Sequence, residues 1–129
     1  MEHMNPQWVH IIKEGCEIMR VAVVGSRSIR YVDVGLLLPH HVTAIISGGA
    51  RGVDALARDW AETHGLPLQE FLPDYRRYGR SAPLRRNDAI VEAADYVVII
   101  WDGVSSGTRY VLNRCLAIRK PCHLVIVRP

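Results

Sequence analysis

The chain has 129 residues, a formal net charge of +3, 49% hydrophobic residues and 22% charged residues. These values fit one folded domain with a real core and exclude a disordered chain. No apolar run approaches the ~18 residues that a membrane span needs. The start, MEHMNPQWVHIIKEG, lacks the basic region, long apolar core and small-residue cleavage site of a secretory signal, so a cytoplasmic protein is expected.

In chain order, Asn5-Pro6 reads as the cap and first turn of a helix that Gly15 ends, with Trp8, Ile12 and Cys16 on one face. Residues 1–19 are expected to form a helical arm, and 20–129 the domain proper. Short apolar runs then follow at 21–25, 42–47, 67–72, 96–101 and 122–127. They are mostly continuous in hydrophobicity and often β-branched, the pattern of parallel strands buried on both faces. Between them, 53–64 repeats apolar residues at Val53, Leu56, Ala57, Trp60 and Ala61, and 108–119 does so at Val111, Leu112, Cys115 and Leu116. That periodicity predicts helices. Strand alternating with helix predicts an α/β protein, a three-layer Rossmann-like sandwich around a five-stranded parallel sheet.

Three strand ends carry unusual loops: Gly25-Ser26-Arg27, Ser47-Gly48-Gly49-Ala50-Arg51-Gly52, and Asp102-Gly103-Val104-Ser105-Ser106-Gly107-Thr108. Ligands of open α/β sheets bind outside the carboxyl ends of the strands. A phosphate there takes hydrogen bonds from backbone N–H groups at a helix start, and absent Cβ atoms let it approach. Arg27 and Arg51 suit an anion. Asn87 falls on a helical face with Leu84, Val91 and Ala94, so its amide needs a partner in an apolar setting. Asp54 sits in the first turn of its helix, where it suits the helix dipole, a pair with Arg58 or a ribose. Neither a G-x-G-x-x-G nor a Walker-type loop is present. Cys16, Cys115 and Cys122 lack C-x-x-C spacing and read as small apolar residues; the pair His40-His41 reads as a solvated loop, and no metal site and no cofactor are expected.

These motifs together resemble the SLOG superfamily, which joins the DNA-processing protein Smf/DprA with the Lonely Guy phosphoribohydrolases, and within it the YspA-like (cpYpsA-related) branch. Gly25-Ser26-Arg27, SGGARGVDALA, the Tyr78–Asn87 segment YGRSAPLRRN, Ala94-Asp95 and WDGVSSGT carry the resemblance. It implies a sheet ordered 3-2-1-4-5, a homo-oligomer, and a nucleotide-derived ligand such as a nucleotide-sugar or an ADP-ribose-like molecule. The lining it implies is Gly25, Ser26, Arg27, Ser47, Gly48, Gly49, Arg86, Asn87, Ser105, Gly107 and Thr108. Arg51, Gly52, Asp54, Asp102, Gly103 and Ser106 join these from the loops themselves. Lonely Guy enzymes have a catalytic glutamate three residues after the Gly-Thr pair, and Val111 stands there.

Three readings result. The first is a nucleotide-binding module or sensor. The second is a nucleotide N-glycosidase or phosphoribohydrolase that uses Asp54, Asp102 or Asp95. The third is single-stranded nucleic-acid binding through Arg76, Arg77, Arg80, Arg85 and Arg86, with Tyr75 and Tyr78 as stacking platforms.

Overall fold

The computed structural model describes residues 18–128; the helix expected from Asn5 to Gly15, and Cys16 after it, lie outside them. The chain runs β1 (Arg20–Gly25), a four-residue α1 (Val34–Leu37), β2 (Ala44–Ser47), α2 (Val53–Thr63) and β3 (Leu68–Glu70). A short α3 (Tyr75–Tyr78) then passes through a 3-10 turn (Gly79–Ser81) into α4 (Ala82–Ala93), followed by β4 (Tyr96–Trp101), α5 (Ser106–Ile118) and β5 (Cys122–Ile126). All strand pairs are parallel, in the order β3-β2-β1-β4-β5. The expected α/β architecture and sheet order are therefore those observed.

Successive residues of the central strands point to opposite faces and build two cores. Val21, Val23, Ile45, Val98 and Ile100 pack with Val53, Ala57 and Ala61 of α2. Ala22, Val24, Ile46, Val97 and Ile99 pack on the other face with Ile90 and Val91 of α4 and Val111 and Cys115 of α5. Each fully buried Val or Ile contributes roughly 1.5–3 kcal/mol, which is why unbroken apolar runs occupy the centre. Burial on both faces stops at the edges: Gln69 and Glu70 of β3 and Leu124 and Ile126 of β5 are exposed. Edge strands have one neighbour and incomplete helix cover, so apolar runs there end in solvent.

The two helices of the second face are also clasped by polar groups. Tyr110 on α5 donates to Asp88 Oδ1 on α4 at 2.9 Å, and Arg114 lies 3.6 Å from Asp88 and 3.5 Å from Glu92. Burial pushes the Cys115 thiol up to about 12, as suits an apolar packing residue. Among the described residues no helix is long and apolar enough to cross a membrane.

Candidate functional site

Strand order reverses between β1 and β4, so the loops that leave their carboxyl ends diverge and open a crevice. A cleft of about 480 Å³ lies there. One wall is polar and combines Gly25, Ser26, Arg27 and Ser28 after β1 with Ser105, Ser106, Gly107 and Thr108 at the start of α5. A second, apolar wall combines Leu72, Pro73 and Tyr75 with Pro83 and Leu84. Gly48, Gly49, Ala50, Asp54, Arg86 and Asn87 lie in the lining as well.

Hydroxyls of the polar wall hold its loops in register. Ser26 Oγ accepts from the backbone N–H of Asp102 at 3.0 Å and shares a 3.3 Å hydrogen bond with Thr108 Oγ1, tying β1, β4 and α5. Asp102 does not line the cleft. Its Oδ1 accepts from the N–H groups of Val104 and Ser105 at 2.9 and 2.7 Å; its Oδ2 accepts from the Ser105 and Ser28 hydroxyls at 2.6 and 2.7 Å. The Ser105 hydroxyl, then the Ser105 and Val104 N–H groups, hold this carboxyl well below the usual carboxylate range. A carboxylate so committed positions a loop and is unsuited to proton transfer.

The glycine-rich loop after β2 is filled by the protein itself. A Cβ on Gly48 would stand 2.8 Å from Arg86 Nη1 and 2.8 Å from Asp54 Oδ2, and one on Gly49 would stand 2.5 Å from Leu72 Cδ2. These two residues are bare so that Arg86, Asp54 and Leu72 can pack against the loop. Open space for a ligand at a missing Cβ occurs instead at Gly107. Arg86 Nη1 donates to the carbonyl of Gly48, and at 3.4 Å to that of Phe71; Nε donates to Asn87 Oδ1 at 2.8 Å. The partner that Asn87 needs is thus its own neighbour. Nη2 of Arg86 has no partner among the described residues.

Asp54 is 6% exposed. Its Oδ2 accepts from Ala50 N–H at 3.1 Å, while its buried Oδ1 has no hydrogen-bond partner. Burial, against the hydrogen bond from Ala50 and the charge of Arg86, raises its carboxyl above the ordinary value of 3.8. A buried acceptor without a partner favours the protonated carboxyl.

Other expected site residues lie elsewhere. Ser47 is fully buried under the loop, where its Oγ accepts from Gly49 N–H at 3.3 Å and donates to the Asp54 carbonyl at 3.3 Å. Gly103 does not line the cleft, and Arg51 and Gly52 line a neighbouring groove. Asp95 accepts from the Arg20 N–H at 2.8 Å at the opposite end of β1, ~16 Å of strand from the cleft. Val111 is fully buried in the core, pointing away from the cleft. Leu84, expected on the buried helical face, is 40% exposed and belongs to the apolar wall. That wall was missed from sequence because Leu72 lies inside an apolar run that reads as strand. Tyr78 is flanked by Arg77 and Arg85, with guanidinium carbons 5.1 and 5.2 Å from its ring centre. No group of three or more His, Cys, Asp or Glu side chains is placed to hold a metal ion among the described residues.

The family model for the YspA, cpYpsA-related SLOG family matches residues 19–78. Over those residues the chain is similar to the SLOG family. The SLOG segment holds the first two loops, Asp54, Leu72 and Tyr75, while Arg86, Asn87 and the α5 loop follow it along the chain. No curated protein and no solved structure matches the chain.

Proposed function

We propose that the chain binds a nucleotide or nucleotide-derived molecule in this cleft, as a binding module or sensor. The observation that carries this reading is a single cleft whose lining joins glycine backbone and hydroxyl side chains at the start of α5 with exposed apolar side chains. Phosphate belongs on the first, against the start of α5, where N–H groups have no helical partner. A base belongs on the second, beside Tyr75, which is 61% exposed, and Leu72, which is 68% exposed. Asp54, the carboxylate in the lining, is then the acceptor closest in chemistry to the donating ribose hydroxyls. The similarity of residues 19–78 to the SLOG family supports a nucleotide-related role. Calorimetric titration with a panel of nucleotides and nucleotide-sugars tests the reading: micromolar binding is expected, and no binding across the panel rejects it.

A second reading, hydrolysis of a nucleotide N-glycosidic bond, rests on Asp54 alone. It is the one carboxylate in the cleft lining, and burial raises its pKa, which favours the protonated form that a general acid needs. Release of free base by the purified protein, abolished in Asp54→Asn, would establish it; binding without release leaves the module.

A further inference from the structure

Beside the cleft lies a second groove of about 750 Å³, which shares Arg27 and Ser28 with it. Arg27, Arg30 and Arg51 all line this groove, no acidic residue does, and all three are exposed. None of the three makes a hydrogen bond or ion pair with another described residue, unlike Arg20, Arg58 and Arg114, which pair with Asp95, Asp59 and Asp88. The fold forces two of them together. Gly52 has φ +74°, and a Cβ there would stand 2.6 Å from Arg27 Cα and 2.8 Å from the Ser26 carbonyl oxygen, so the turn bearing Arg51 lies directly on the loop bearing Arg27. Three uncompensated guanidinium groups around one space repel one another, and an anion between them removes that repulsion. The start of α2 also opens here, with Gly52 and Ala55 in the lining.

We infer that this groove is a second phosphate subsite, continuous with the cleft across Arg27 and Ser28, and that the ligand is a dinucleotide with two phosphoryl groups separated by a nucleoside. The inference rests on the nucleotide reading of the cleft and extends it. The cleft alone has the size for one nucleotide, and the groove adds cationic space beyond it. A long nucleic-acid strand is disfavoured because Arg76, Arg77, Arg80 and Arg85 line neither space, so no continuous basic track passes through both.

The test is titration of the full chain with mixed-sequence 5′-phosphorylated mononucleotides, dinucleotides and tetranucleotides. Dinucleotides are expected to bind roughly tenfold tighter than mononucleotides, the effect of one charge-assisted phosphate contact. Arg30→Glu is expected to abolish that advantage while leaving mononucleotide affinity unchanged, which also shows that the variant is folded. Equal affinity for mono- and dinucleotides, or equal weakening of both by Arg30→Glu, overturns the second subsite but not the cleft. Affinity that rises again with tetranucleotides overturns it in favour of a strand-binding surface. Absence of mononucleotide and dinucleotide binding alike rejects the nucleotide reading and the subsite with it.

Discussion

Ser28 Oγ donates to Asp102 Oδ2 at 2.7 Å across 74 residues of sequence, joining the loop after β1 to the loop after β4. The polar wall of the cleft is thereby preorganised before any ligand arrives, since the same carboxylate also accepts from Val104 and Ser105. A wall already held in place lowers the ordering cost of binding.

Replacing Asp102 by Asn keeps the shape but removes acceptor capacity, so the melting temperature and nucleotide affinity should both fall. The sign of the pH dependence follows from a folded-state pKa depressed below 3.8. The carboxylate stabilises the fold fully above 3.8, and that contribution is lost as pH falls below it through the depressed value. Thermal unfolding followed by circular dichroism should show the deficit of Asp102→Asn intact from pH 8 to about pH 5 and narrowing below pH 4. A deficit that is constant through pH 3 contradicts this role.

Asp54 has the opposite sign, because burial raises its pKa above 3.8. Stability relative to an unburied carboxyl is complete below 3.8 and is lost as pH rises through the raised folded value. Asp54→Asn should therefore melt higher than the parent chain at pH 7, with the gain fading by about pH 3.5. A stabilised protein that binds ligand less well would fit a polar group retained for function; a lower melting temperature at pH 7 would show instead that the carboxylate supports the fold.

At Gly107 a new Cβ meets nothing within 4 Å. Gly107→Asp should leave the fold intact, since an acid in the first turn of a helix is favourable by roughly 0.3–1 kcal/mol. The same negative charge stands where phosphate is proposed to bind, so affinity should drop by roughly tenfold to a hundredfold. Gly107→Ala is the control and should bind like the parent; equal losses in both would point to backbone geometry instead of charge.

Gly52 and Gly65 both have positive φ, +74° and +66°, but only Gly52 is hemmed in by backbone atoms. Gly65→Ala should cost about 1 kcal/mol from conformation alone, and Gly52→Ala about 2–4 kcal/mol because the Ser26–Arg27 loop must also move. Chemical denaturation of the two variants measures the difference directly.

Much of the architecture was legible because the central strands must be apolar on both sides: VAVVG and YVVIIW admit little else. The edges were less legible. The run at 67–72 reads as one strand, yet β3 ends at Glu70, and Phe71 and Leu72 leave the sheet, the first for the core and the second for the cleft. Hydrophobicity marks both uses alike. Side-chain orientation was likewise hidden at Leu84, where helical spacing cannot say which flank of a helix meets a cleft. The glycines were found readily, but their reason was not, because what crowds Gly48 comes from Arg86, 38 residues away. The pairing of Ser28 with Asp102 required the sheet order before it could be seen.

The way glycines are used around this cleft decides where its chemistry is free to change. Gly25, Gly48, Gly49 and Gly52 are each pressed against their own protein, so their identities are fixed by folding whatever the ligand. Tyr75 and Leu84 stand in solvent with side chains that little else in the fold depends on. Selectivity in this scaffold can therefore drift, or be redesigned, on the apolar wall while the phosphate wall stays constant. Variants there report on the preferred base without being confounded by lost stability.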